Sequence, residues 1–178
     1  MKTTALRRTF IAAALAAAPA PLAGQSNPVS ASVRDAAQYN AKNLVAAAQA
    51  LPAAEYGFKP TPAQWSFAQV VLHVADDNRI TCAAIAGKTP EAAVKLAPTD
   101  AKEKLVEALQ RSLAICDSAV AGLTDAKLGD TVTYYGQNAT RASAALGLVM
   151  DWSDHYAQLA IYLRLNGVLS PTAKNGGM

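Results

Sequence analysis

Four stretches of the chain carry apolar residues at helical spacing, separated by Pro, Gly and turn-forming residues. The first runs from about Ser32 to Ala50 and is closed by Leu51-Pro52. The second is expected to start with Thr61 as N-cap and Pro62 at the first helical position, and to run to Ala86 with Gly87 as its stop. The third begins at Thr99-Asp100 and carries Leu105, Leu109, Leu113, Cys116 and Val120 along one line. The fourth spans about Thr140 to Asn166, with Ala145, Leu148, Trp152, His155, Leu159 and Tyr162 on one face and Gly167 as terminator. A short helical turn is expected around Glu91 to Leu96. Strand signal is confined to Asp130–Tyr135, a β-prone run flanked by Gly129 and Gly136. This pattern predicts an all-α four-helix bundle over residues 32–170, with 25–31 as a linker and 171–178 as a flexible tail.

The N-terminus does not belong to that pattern. Lys2, Arg7 and Arg8 precede the apolar run Phe10–Ala18, and small residues follow around Ala20 to Gly24. Residues 1–24 read as a secretory signal peptide, since the run is too short to span a bilayer. Leu6–Ile11 is similar to the twin-arginine export pattern, and a general secretory signal fits equally well. The expected location is therefore periplasmic or secreted, in a bacterium. Three of the 16 Lys and Arg lie in this segment and none of the 13 Asp and Glu does, so residues 25–178 are charge-neutral. That balance gives no support to a nucleic-acid partner, and no other segment approaches a stable membrane anchor. The partner expected is an unidentified small molecule, and a homodimer is compatible with the sequence.

Two polar clusters interrupt the apolar helices. His73 and His155 are the only histidines, and Asp151 lies four residues before His155. On a helix that spacing stacks Asp151 and His155 on one face. With His73 from a facing helix they form a His-Asp-His set that suits a divalent metal with open positions. A hydrogen-bonded polar cluster that locks the bundle fits the spacing equally well. Asp77, one turn beyond His73, is open as a fourth ligand or as a partner to an imidazole, whereas Asp154 points about 100° away from His155. Gln158, Tyr134 and Tyr135 are the candidates for orienting a substrate. Trp65, Phe67, Trp152, Tyr156 and Tyr162 read as core. Cys82 and Cys116, in an exported protein, are expected to form a structural disulfide, the alternative being two buried thiols.

The segments that carry this chemistry also resemble a known group. His73, the block Asp151-Trp-Ser-Asp-His-Tyr-Ala-Gln-Leu159, the ending Ile161–Gly167 and the run Tyr56–Phe67 are similar to the DinB-like superfamily of metalloenzymes. The likeness covers about residues 32 to 170. It implies a four-helix bundle with three histidines around a divalent metal, one on the second helix and a His-x-x-x-His pair on the fourth. His73 and His155 match, and Asp151 occupies the place of the first histidine of the pair. A carboxylate there lowers the site's charge by one and shifts its preference toward harder metals; the ion expected is divalent, zinc first, with nickel, manganese or iron behind it. The resemblance implies a metal-dependent transferase or hydrolase, since characterised relatives include thiol transferases and isomerases. The Asp151 departure keeps open a non-catalytic exported binding or scaffold protein whose metal set has degenerated.

Overall fold

The structure is a computed structural model and describes residues 27–93, 95–174 and 176. The expected signal peptide, residues 1–24, lies outside the described residues. Four long helices dominate: α1 (Pro28–Ala50), α2 (Phe67–Ala86), α3 (Lys102–Ala121) and α4 (Arg141–Leu165). A hairpin, β1 (Thr131–Tyr134) and β2 (Gln137–Thr140), leads into α4, and a single turn, α5 (Pro171–Lys174), follows it. The protein is the four-helix bundle that the periodicity predicts. Within it α2 packs on α3 and α4, and α1 packs on α3 and α4. Helices α1 and α2 therefore face each other across a diagonal, as do α3 and α4.

The core follows from the apolar stripes. Leu44, Phe67, Val70, Val74, Leu105, Leu109, Leu148, Leu159 and Leu163 are fully buried, with Trp152 and Tyr162 as the largest core side chains. Two buried asparagines fix how the helices are rotated against one another. The Trp152 indole N–H donates to Asn78 Oδ1 at 2.6 Å, and Asn78 Nδ2 donates to Ser112 Oγ at 2.9 Å. This chain ties α4 to α2 and α3. Asn40 Nδ2 similarly donates to Ser153 Oγ at 2.9 Å, joining α1 to α4. A buried polar group left without a partner costs about 1–3 kcal/mol, so these contacts penalise any rotated packing. Cys82 on α2 and Cys116 on α3 are disulfide-bonded, with Cα atoms 5.0 Å apart.

Helix ends differ from the expected ones where local signals compete. Helix α1 starts at Pro28, so most of the expected linker is helix. Its free amides are met from a distance: Asp125 accepts from Val29 N (3.1 Å), Ser30 N (2.7 Å) and Ser30 Oγ (2.7 Å). At the other end Lys102 Nζ donates to the Gln49 and Leu51 carbonyls, both at 2.7 Å. Helix α2 does not start at Thr61-Pro62. That segment is a turn, and the cap is Ser66, whose hydroxyl accepts from Gln69 N while the Gln69 side chain accepts from Ser66 N. This is a capping box. The described part of 88–98 contains no helical turn around Glu91 to Leu96. The Asp130–Tyr135 run is not isolated but pairs with Gln137–Thr140, closed by Tyr135 (φ 47°) and Gly136 (φ 75°). Two consecutive positive φ values are those of a tight type I′ hairpin turn. Part of the expected flexible tail forms α5.

Candidate metal centre

Helix α2 carries His73 and helix α4 carries Asp151 and His155, and the packing of α2 on α4 brings all three together. One ligand atom from each lies within 4.8 Å of the others. The i, i+4 pair meets directly, with His155 Nε2 and Asp151 Oδ1 at 3.2 Å. The two imidazoles sit edge to face with centroids 4.8 Å apart. Asp151 faces inward because its neighbour Trp152 is held by Asn78, which sets the rotation of α4.

The proton arrangement around His155 is set by a chain of hydrogen bonds. Tyr162 Oη donates to the Trp65 carbonyl (2.9 Å) and therefore accepts from Gln158 Nε2 (3.2 Å). That leaves Gln158 Oε1 toward His155 Nδ1, at 3.2 Å. Because Oε1 can only accept, Nδ1 carries a proton. In a neutral imidazole Nε2 then presents a lone pair to the Asp151 carboxylate, acceptor against acceptor. Either a proton on Nε2 or a cation between the two resolves this. Burial works against the imidazolium, but the hydrogen bond and charge of Asp151, with smaller help from Gln158 and Asp154, outweigh it and raise the His155 pKa above its ordinary value.

Two further atoms fit a cation. Asp151 Oδ2 is buried and has no hydrogen-bond partner among the described residues. Such an oxygen is costly unless a positive group meets it. His73 makes ring contacts to Trp65 and His155 but no hydrogen bond among the described residues, so it has a lone pair to give. Two imidazole nitrogens and a carboxylate oxygen are a donor set for zinc or another divalent first-row ion.

Trp65 lies over this cluster. Its ring is 4.8 Å from that of His73 and stacks on His155 at 6.3 Å with an interplanar angle of 19°. It is 44% exposed, so the expectation of a core tryptophan is corrected. The sequence signal was the capping box: Ser66 as N-cap leaves Trp65 outside α2, free to turn back over His73.

The remaining candidates separate. Asp77 is not in the cluster; its carboxylate accepts from Thr81 Oγ1 at 3.2 Å and from the Tyr135 hydroxyl. It holds the hairpin to α2 and is not placed as a fourth ligand. Tyr135, half-exposed, is engaged there, and partial burial with the Asp77 hydrogen bond raises its pKa. Gln158 is a positioning residue, with both ends of its amide used between His155 and Tyr162. Tyr134, on the hairpin, lies against the helix that bears Asp151. Its hydroxyl occupies the space over Gly147, one turn before Asp151, where a Cβ would meet it at 2.5 Å. Burial raises the Tyr134 pKa, the Thr81 hydroxyl opposes this, and the Asp77 and Asp151 charges add to it.

The model of the DinB superfamily matches residues 36–159, more than half of the chain and all of its candidate ligands. The chain belongs to the DinB superfamily. Solved structures share its fold. A DinB-like protein from Bacillus cereus ATCC 10987 aligns with a TM-score of 0.66 at 13% identity, covering 78% of this chain and 93% of its own. YfiT from Bacillus subtilis, described as a probable metal-dependent hydrolase with an unusual four-helix bundle topology, aligns at 0.61 and 14% identity, covering 84% and 94%. A mycothiol-dependent maleylpyruvate isomerase aligns at 0.61 and 16%, covering 73% of this chain and 60% of its own. No curated protein matches. At these identities the likenesses bear on this DinB protein's fold.

Proposed function

We propose that this DinB protein is an exported metal-dependent enzyme, a transferase or hydrolase, with His73, Asp151 and His155 as ligands of one divalent ion, zinc first. The observation that carries the reading is the buried Asp151 Oδ2, without a partner among the described residues, beside a His155 Nε2 that lies 3.2 Å from Oδ1. A bound ion of this kind supplies Lewis acidity and lowers the pKa of a water or thiol. The chain's own residues do the rest. Gln158, held by Tyr162, keeps the proton on His155 Nδ1 and Nε2 free as a donor. Trp65 covers the imidazoles and limits water, and its exposed edge offers a face on which a planar substrate can stack. The Tyr134 phenol, its pKa raised and so protonated across the physiological range, is the hydroxyl assigned to donate to a substrate oxygen.

The description of one neighbour as a probable metal-dependent hydrolase supports the hydrolase class, and that of another as a mycothiol-dependent isomerase supports a thiol as co-substrate. The disulfide supports an oxidising compartment, and with it the export signal. The test is Asp151→His, with zinc affinity and turnover of a thiol-transfer and an ester substrate as readouts. A weakened family triad predicts tighter zinc and increased thiol transfer. An adapted ligand predicts similar zinc affinity and reduced native turnover. No change in metal content, activity or stability would place Asp151 outside the site and overturn its assignment as a ligand.

A further inference from the structure

A cavity among the described residues lies away from the metal centre. It has a volume of about 700 Å³ and lies between α2, α3 and the described part of the 88–98 connection. Position 75 on α2 is turned about 200° from His73, so the cavity opens on the other side of that helix. Its depth comes from small residues: Ala75, Ala83 and Ala86 on α2 face Ala108 and Ala119 on α3. Side chains this short leave space between two helices whose separation is fixed by the Cys82–Cys116 bond beneath. The outer wall is held in place, since Arg79 Nη1 donates to the Glu91 carbonyl at 2.8 Å. Leu96 and Ile115, the latter 40% exposed, add apolar lining.

The lining is also strongly charged. Arg79, Lys88, Lys95, Lys104 and Arg111 stand against Glu91 and Glu107, a local excess of three cations within residues 25–178, whose overall charge is zero. Arg79 is paired with Asp76 and Arg111 with Glu107, but no ion pair engages Lys88, Lys95 or Lys104 among the described residues. An apolar pocket in this size range with a few convergent polar groups is the ordinary form of a small-molecule site. We infer that this cavity binds a single-chain amphipathic carboxylate, with its apolar tail along the alanine floor and its head group at the lysine rim. The site is separate from the metal centre and does not depend on its function.

Dodecanoate titrated into the full-length protein by calorimetry tests this. The expected result is one saturable site, with Lys95→Glu/Lys104→Glu weakening binding at least about tenfold through loss of charge complementarity. Ala83→Phe, which fills the cavity from the half-buried side of α2, should abolish binding with the helical circular dichroism unchanged. Dodecanol and inorganic phosphate should each bind more weakly than dodecanoate, because each lacks one half of the recognition. His73→Ala should leave dodecanoate binding intact. The inference is overturned if binding does not saturate, or if the rim and cavity-filling variants bind like the wild type. It is also overturned if phosphate or dodecanol binds as tightly, or if His73→Ala abolishes binding and so moves the ligand to the metal centre. Association with phosphatidylglycerol vesicles alone would assign the lysines to a membrane surface and overturn it too.

Discussion

Gly147 stands in the middle of α4, where glycine costs about 1 kcal/mol relative to alanine. The structure gives a reason: a Cβ there would lie 2.5 Å from the Tyr134 hydroxyl, 3.4 Å from Cζ and 3.6 Å from Cε1. Gly147→Ala therefore gains about 1 kcal/mol of helix propensity and loses about 1–3 kcal/mol by displacing the phenol, as overpacking does. The net expectation is no gain, or a destabilisation of up to about 2 kcal/mol. In a Tyr134→Phe background the clashing oxygen is gone and the ring atoms are at ordinary contact distance. There the same substitution should stabilise by up to about 1 kcal/mol. Urea unfolding of the four proteins, read as midpoint shifts at constant m, gives the coupling between the two sites, expected at about 1–3 kcal/mol. The same sign and size of effect in both backgrounds would refute the placement of Tyr134 against the Asp151 helix.

Two further outcomes follow from contacts that hold the bundle. Asp125 has its pKa lowered from its ordinary value of 3.8, chiefly by the Ser30 hydroxyl and amide, with burial opposing and Val29 and Arg34 adding. Its stabilisation is present above the unfolded carboxyl's pKa and is lost as pH falls through the lower folded value. Asp125→Asn should therefore lower stability at neutral pH and flatten the acid limb of the melting-temperature profile below about pH 4; a parallel profile would exclude this role. The disulfide closes a loop of sequence separation 34, which corresponds to about 4 kcal/mol in the chain-entropy account. Cys82→Ala/Cys116→Ala should lose most of that in denaturant unfolding, and an unchanged midpoint would deny the bond a stabilising role.

The bundle was legible because helical periodicity is sustained over about twenty residues at a time, and Gly87 and Gly167 mark helix ends without competition. What was lost came from signals in conflict. Thr61-Pro62 imitates a helix start, but Ser66 and Gln69 satisfy two backbone donors reciprocally, and that fixes the start five residues later. That later start leaves Trp65 outside the helix. Strand β2, Gln137–Thr140, has no β-prone pattern of its own; it exists because the Tyr135-Gly136 turn returns the chain onto Thr131–Tyr134. The convergence of His73 with Asp151 and His155 was suggested by spacing on two helices, but spacing says nothing of rotation. Asn78, reaching Trp152 and Ser112, supplies it. Asp77 shares the face of His73, yet the hairpin captures it, a tertiary contact that helical geometry does not contain. The start of α1 was set by Asp125, a residue 95 positions from Ser30.

The central claim is that His73, Asp151 and His155 hold one ion between them. The most direct measurement is elemental analysis of the purified wild type beside His73→Ala and His155→Ala, each confirmed as helical. The account predicts about one divalent ion per wild-type chain and its loss in both variants. Equal, substoichiometric metal in all three proteins would contradict it and leave the three residues as a hydrogen-bonded lock between α2 and α4.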